Sequence, residues 1–479
     1  MSEEKMQKPS LLEPESTGGD IAEGGFEFQR NLILNKIPYW LSFEGFTSLI
    51  WESIGDIEAK FYIPGNGLVN EVLEAKNHQV TASEFWNEID RFKRLDKGSP
   101  NTYQWFTLSC TAVSPKIKPL INGLRRIRDP YPFYEESSGI HQNSYEQYKE
   151  LVLGLNKDEA TAEFLFKKVR IEDTWGSLNA QAEGVFLGSL YKNFPEFEDI
   201  APKKAKAVLG ALINLLVSRR NKPLTRLEIE DTISSTVDDA RIFVKPTTIE
   251  TKIARDDLGG KEIIFDWQLF FGGHERSYPA PDTWTSQVIK VLNDTKEWII
   301  KNRKNRTIQL KGNRRNSTAM AIGHTFSAVS GFNIEMDHRG ELWKTNQFQT
   351  PDTPQYHLQY NFESGQTKRL IVVVGIMKER MAEEVVSFIT DTGESDHPIL
   401  KVSSSMPIIS SEQVNAAVYE IKEEIKNITS RIGVKEIDFF YAGPSHFALF
   451  LGHRWNAMPI THCYEWTDTA NYVKTVTLT

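Results

Sequence analysis

The alternation of apolar and polar residues along this chain changes period several times. From about residue 20 to 37, Phe26, Ile33, Leu34 and Ile37 recur at steps of seven, eight and eleven from the first, which is the spacing of one helix face. Pro38 is expected to stop that helix. Strand-like runs follow up to about residue 115: TSLIWES, DIEAKFYI, VNEVLEAK and YQWFTLSCTA, with helical stretches between and after them. From about 130 to 275 the pattern is mostly helical, clearest in DEATAEFLFKKV and PKKAKAVLGALINLLVSRR. Within it, SRRNKPLTRLEIEDTI resembles half of a winged-helix or helix-turn-helix unit, although a helical spacer fits the pattern better. FGGHERSYPAPDTW (271–284) reads as a linker, and residues 1–18, polar with Pro, Gly and Ser, as disordered.

An internal repeat organises the C-terminal part. IQLKGNRRNSTAMAIGHTFSAVSGFNI (308–334) can be laid beside IDFFYAGPSHFALFLGHRWNAMPI (437–460). Each runs strand, glycine-containing turn, helix, strand, and the helices share Ala, an apolar pair and Gly-His before an aromatic residue. Two related Rossmann-like halves are expected. His324 and His453, inside the repeated helices, are read as structural.

Within the strand-like part, NEVLEAKNHQ sets Glu74 and Lys76 two apart, on one face of a strand among apolar neighbours. GDIEAKFYIPGNGLVNEVLEAK reads as a hairpin closed by Pro-Gly-Asn-Gly. With the turn centred near Asn66, paired positions sum to about 132, so Asp56 falls opposite Lys76 and Glu58 opposite Glu74, all on one face. Three acids packed together repel unless a cation joins them. Carboxylate oxygens suit Mg²⁺ or Mn²⁺, and a lysine beside them can orient water or hold charge developing on a phosphodiester. A solvated hairpin face is the alternative for the same charges.

Composition narrows the classes. A length of 479 residues suggests about three domains. Two cysteines, Cys110 and Cys463, exclude a disulfide framework and fit a reducing compartment. The polar start MSEEKMQKPS is no secretory signal and no apolar run is long enough to span a bilayer, so a soluble bacterial cytoplasmic protein with no membrane partner is expected. The formal net charge of −8 does not predict nucleic-acid binding, but basic patches occur in RFKRLDK (91–97), LRRIR (124–128) and KNRKNRTIQLKGNRR (301–315). G-x-S-x-G, HExxH and Walker A motifs are absent, which argues against common hydrolases and ATP-driven translocases.

An acid followed by Glu-x-Lys on the next strand resembles the layout of PD-(D/E)xK nucleases. Residues 19–79, with GGFEFQRNL, GDIE and EVLEAKNHQ, are similar to the nuclease domain of CD-NTase-associated endonucleases, the effectors of CBASS antiphage systems. GNRRNSTAMAIGHTFSAVSGFNIEM, ELWKT, YAGPSHFALFLGHRWN and the strand ending in YEW resemble their SAVED domain, a fused pair of CARF-like halves. The resemblance implies an α/β protein: a restriction-endonuclease-like core at 19–130, a helical extension at 131–275 and a SAVED sensor at 276–479. It implies that a cyclic oligonucleotide, a cyclic trinucleotide by expectation, binds the sensor and drives homo-oligomerisation. The assembled nuclease then cuts double-stranded DNA with Mg²⁺ or Mn²⁺ and little sequence preference.

On this chain Asp56, Glu74 and Lys76 become the catalytic set. Asp56, Glu74 and Glu27 become metal ligands, with Gln29, Glu58 and Gln79 behind them and Glu58 in reserve as a ligand. For the cyclic oligonucleotide, phosphates suit helix N-termini and nearby basic groups, which points to Lys311, Arg314, Arg315 and Ser317 in one repeat and Gly443 and Pro444 in the other. Bases suit aromatic faces, for which Trp284, Trp343, Tyr441 and Trp466 are candidates. Two rivals remain: a CARF-like DNA-binding regulator without nuclease activity, and a modification-dependent restriction endonuclease.

Overall fold

Helix α1 (Pro14–Leu41) carries the first apolar stripe, and it continues through Pro38 instead of stopping before it. A proline inside a helix costs about 3 kcal/mol. Here it lies in the last turn, where Trp40 and Leu41 bury fully, and each large apolar side chain so buried returns about 1.5–3 kcal/mol. The computed structural model describes residues 14–129, 138–253, 260–272, 277–378, 380–467 and 471–479. Of the segment expected to be disordered, residues 1–13 lie outside these, as do 273–276 of the expected linker.

The hairpin forms as the alternation requires. Strands β1 (Phe46–Trp51), β2 (Ile57–Ile63) and β3 (Gly67–Val80) run antiparallel. The turn centres on Gly65, one residue earlier than expected: Ile63 pairs with Gly67, the Asn66 amide donates to Ile63 O at 3.0 Å, and Gly65 and Gly67 have φ 81° and 77°. Ile57 therefore pairs with Leu73, and Glu58 with Val72, not with Glu74. The slip is two residues, so facing is preserved: odd positions (Ile57, Ala59, Leu73) pack under α1, and even ones (Val72, Glu74, Lys76) face the other way. On that face lies α2 (Ala82–Gly98), opened by a capping box between Thr81 and Glu84 and burying Phe85, Ile89 and Phe92.

The chain then adds β4 (Tyr103–Val113) parallel to β3, helices α3 (Lys118–Arg128), α4 (Gly139–Leu153) and α5 (Glu159–Lys168), and β5 (Val169–Glu172) parallel to β4. Helices α6 (Leu178–Asn193) and α7 (Pro202–Ser218), the short strand β6 (Leu224–Thr225) and α8 (Arg226–Val237) follow. One six-stranded sheet results, in the order β5-β4-β3-β2-β1-β6. Of the region 131–275, residues 138–243 extend the unit that holds this sheet, and Thr247–Lys252 and Ile263–Asp266 form strands of a second. Strands β5 and β6 close both sheet edges, and Phe186, Leu190, Leu212 and Ile229 share the core beneath α1. The LRRIR patch is used internally: Arg125 bonds Asp173 at 2.6 Å and Arg128 the Val169 carbonyl at 2.7 Å.

Arg226 locks this arrangement. It pairs with Glu230 at 2.5 Å and donates to the carbonyls of Phe43 (2.8 Å) and Leu41 (2.9 Å), where α1 ends. Arg226→Ala leaves Glu230 buried without its cation and is expected to destabilise this unit by about 3–5 kcal/mol, read as a lower midpoint in urea unfolding.

Two compact units meet in sequence at Phe243 and Val244. In the second, β7 (Thr247–Lys252) and β8 (Ile263–Asp266) precede α9 (Pro281–Trp284) and α10 (Lys290–Asn302). The first repeat forms β9 (Thr307–Gly312), α11 (Asn316–Thr325) and β10 (Asn333–His338), with β11 (Glu341–Lys344) beside it. Their sheet runs β11-β10-β9-β7-β8. Next come β12 (Gln359–Glu363), β13 (Arg369–Ile376), α12 (Met381–Asp391), β14 (Ile399–Ser404) and α13 (Ser411–Ile432). The second repeat forms β15 (Glu436–Ala442), α14 (Ser445–Arg454) and β16 (Ile460–Trp466), and β17 (Tyr472–Leu478) ends the chain. This second sheet runs β12-β14-β13-β15-β16-β17, parallel at its centre.

The repeated Gly-His has a packing cause. Helices α11 and α14 cross at their glycines: a Cβ on Gly323 would lie 2.1 Å from Leu449 O, and one on Gly452 would lie 2.2 Å from Met320 O. The ring of the buried His453 donates from Nε2 to Phe332 O at 2.9 Å. Gly452→Ala forces the helices apart and is expected to cost about 2 kcal/mol or more, measured as a lower melting temperature.

Candidate functional site

In the first unit the loop between β1 and β2 brings a carboxylate to the face under α2. Asp56 precedes β2, and its Oδ2 accepts the Ala75 amide at 2.7 Å. Burial, and next the charge of Glu74, push the Asp56 carboxyl up to about 6. Glu74 Oε1 pairs with Lys76 Nζ at 2.9 Å, and Lys76 also reaches Glu88 at 3.2 Å. Burial opposes the Lys76 ammonium, but Glu74 and Glu88 outweigh it and raise its pKa. Arg91 pairs with Glu74 and, at 2.8 Å, with Glu88. Glu52, Ser53, Asp56, Glu74, Glu88 and Arg91 line a cleft of about 450 Å³. The structure thus gathers Asp56, Glu74 and Lys76 and adds Glu88 and Arg91 from α2. A signal for these two was present: i,i+3 charged positions flanking the apolar stripe of the helix that follows Glu-x-Lys.

The remaining first-unit candidates go elsewhere. Glu27 pairs with Arg30 on the surface of α1 at 3.7 Å. Gln29 accepts from Trp51 Nε1 at 2.9 Å, and Gln79 donates to Val113 O at 3.2 Å. Glu58 is buried and accepts from the Ile54 amide (3.0 Å) and Asn70 Nδ2 (3.2 Å). Glu58 pairs with Val72 on the same face as Glu74, but its carboxylate is held by Asn70, four residues before Glu74, and so is displaced along the strand from the site. Among the described residues no group of three or more carboxylate, imidazole or thiol side chains is set to hold a metal. Asp56 and Glu74 still fit Mg²⁺ or Mn²⁺, since Mg²⁺ commonly takes one or two carboxylates and fills its shell with water and substrate phosphate. A raised aspartate beside a second carboxylate is the electrostatic counterpart of that fit.

The second unit holds a cleft of about 500 Å³ at the C-terminal ends of β13 and β15, lined among others by Arg314, Arg315, Lys378, Arg380, Tyr441 and Trp466. Such strand ends are where parallel sheets offer ligand crevices. Arg314 donates to the carbonyls of Lys311 (3.4 Å) and Gly312 (3.2 Å) and, among the described residues, meets no carboxylate. Burial alone lowers its pKa to about 10. Arg315 is held between the rings of Phe271 (4.4 Å) and Tyr278 (4.5 Å). Trp466 is 48% exposed, enough to offer a face. Gly443 lines the cleft, while the Pro444 carbonyl accepts from Tyr441 Oη at 2.8 Å.

Other candidates are corrected. The Ser317 amide, read as a phosphate donor, already donates to Glu465 at 2.6 Å, and its hydroxyl meets Thr475 at 2.6 Å. A carboxylate from β16 thus caps α11 where an anion was expected. Lys311 is exposed beside Glu262 at 3.4 Å. Trp284 is wholly buried against Phe270 and Phe271, and Trp343 packs on His338 and His446. Tyr278, Lys378, Arg380 and Glu465 were missed. For Lys378 and Arg380 the signal is the basic turn directly after the apolar run LIVVVGI.

Residues 291–478 match the family model for SAVED, the SMODS-associated and fused to various effectors sensor domain. The chain is 29% identical over 469 residues to CD-NTase-associated protein 4 of Acinetobacter sp., covering 98% of this chain and 99% of that one. It is 27% identical over 470 residues to the protein of that name from Moraxella osloensis, with the same coverages. The Acinetobacter baumannii Cap4 SAVED/CARF-domain containing receptor, solved with the cyclic trinucleotide 2'3'3'-cAAA, superposes with a TM-score of 0.82 at 26% identity, covering 95% of this chain and 98% of that chain. The Moraxella osloensis receptor gives 0.76 at 25% identity, covering 95% and 99%. Among the described residues no helix is long and apolar enough to cross a membrane.

Proposed function

We propose that this chain, a homologue of CD-NTase-associated protein 4 with a SAVED domain at its C-terminal end, is a ligand-activated DNA endonuclease of CBASS antiphage defence in the bacterial cytoplasm. The observation that carries the sensing half is the cleft in which Arg314 has no carboxylate partner and Arg315 is fixed between two rings. Both guanidiniums suit phosphodiesters, and the half-exposed Trp466 suits a base, whereas the Tyr441 ring is buried against Phe439 and Phe447. The Acinetobacter baumannii relative, solved with two cyclic trinucleotides, supports that ligand class here. Ligand binding drives homo-oligomerisation, which brings nuclease units onto one duplex.

For the nuclease half, Asp56 and Glu74 would hold Mg²⁺ or Mn²⁺. Such an ion supplies Lewis-acid polarisation of a phosphodiester and a nucleophile at neutral pH. The chain's own part is positioning. The Ala75 amide fixes the Asp56 carboxylate, and Lys76, held by Glu74 and Glu88, presents its ammonium to charge developing on the phosphate.

The test incubates plasmid DNA with the purified protein, Mg²⁺ and a panel of cyclic di- and trinucleotides. Degradation with one ligand only is the expected result. Cutting in every lane favours a modification-dependent restriction enzyme. Intact DNA in all lanes, with a cyclic trinucleotide bound by calorimetry, overturns the nuclease half and leaves a ligand-binding regulator.

A further inference from the structure

The basic segment RFKRLDK resolves into residues with different neighbours. Lys93 donates to the Thr161 hydroxyl at 2.8 Å and Arg94 is exposed, while Arg91 turns into the cleft with Asp56 and Glu74. Its guanidinium ties three elements together. Nη2 donates to Glu74 Oε2, Nε to Glu88 Oε2 at 2.8 Å, and Nη1 to the Ile54 carbonyl at 3.2 Å. Lys76 takes Glu74 Oε1, so each oxygen of that carboxylate rests on a different cation. An ion that takes Glu74 as ligand must share it with, or take it from, Arg91.

We propose that Arg91 is an internal counter-ion that competes with the divalent cation for Glu74 and, once displaced, binds a phosphate of the DNA. This rests on the metal-dependent nuclease reading. Charge balance favours it: Asp56, Glu74 and Glu88 against Lys76 and Arg91 leave one net negative charge, and a divalent ion reverses the sign. A displaced Arg91 stays at the cleft, because Glu88 one turn earlier on α2 still holds it. Its planar fork matches two phosphate oxygens better than an ammonium does. The Ile54 bond also ties α2 to the loop that carries Asp56, so release of Arg91 is felt at both carboxylates.

The full-length chain is titrated with Mn²⁺, followed by electron paramagnetic resonance, and separately with a short labelled duplex in Ca²⁺. Arg91→Gln is expected to bind Mn²⁺ about tenfold more tightly, the effect of removing one unit charge at contact range, and the duplex several-fold more weakly. Arg94→Gln should leave Mn²⁺ affinity unchanged. Arg91→Lys keeps the charge but not the fork, so Mn²⁺ affinity should stay near wild type while duplex binding weakens. A merely structural ion pair would lower both affinities together. If Arg91→Gln leaves or weakens Mn²⁺ binding while Asp56→Asn abolishes it, the role of Arg91 is overturned and the metal site stands. If Asp56→Asn binds Mn²⁺ like wild type, the metal site itself is misassigned and the inference falls with it. Wild-type duplex affinity in Arg91→Lys would remove the phosphate role.

Discussion

Lys76→Ala is expected to slow ligand-activated DNA cleavage by about two to three orders of magnitude, the usual loss when one donor aimed at developing charge is removed. The ammonium has no other duty of comparable weight. It reaches Glu74 at 2.9 Å and Glu88 at 3.2 Å, and Arg91 already contacts both carboxylates. Its side chain is 21% exposed, so removing it leaves those acids partly hydrated and partly paired. The melting temperature and cyclic-nucleotide affinity should therefore stay near wild type. Single-turnover plasmid cleavage at saturating ligand reads the rate, and a rate within about threefold of wild type would show that the charged face under α2 is not the nuclease site.

The second large effect is expected at Arg314. Charge-assisted hydrogen bonds contribute about 1.5–3 kcal/mol each, so Arg314→Ala should weaken cyclic-nucleotide binding by about 10- to 100-fold. Stability should move the other way or not at all. Arg314 is held by the Lys311 and Gly312 carbonyls without a carboxylate, and burial pulls its pKa down to about 10. A cation so placed is costly to the fold and is relieved by an anion. Arg315→Ala should weaken binding comparably, but with some loss of stability, because its guanidinium packs on Phe271 and Tyr278. Calorimetric affinity set beside thermal melting separates the two. If Arg314→Ala lost stability and kept affinity, the arginine would be a structural residue and the ligand would lie elsewhere.

Local pattern alone determined a good deal. The period-2 alternation around Glu74 and Lys76 placed both on one strand face, and a two-residue error in register left that face intact because side chains alternate with period 2. The repeat of strand, glycine turn and Gly-His helix was legible because it is contiguous, and it folded as two strand–helix–strand units. What stayed hidden was pairing across distance. Strands β5 and β6, each a few residues long inside helical sequence, join a sheet begun more than a hundred residues earlier, and no periodicity records that. Burial likewise sorted the aromatics: Trp284 and Trp466 look alike in sequence, yet one is wholly enclosed and the other 48% exposed. The N-terminus of α11 read as an anion site, and only tertiary structure could bring Glu465 from β16 to fill it. The same holds for Arg91, since the sequence shows a basic run on a helix and only the packing of α2 on the sheet turns one of its cations onto Glu74.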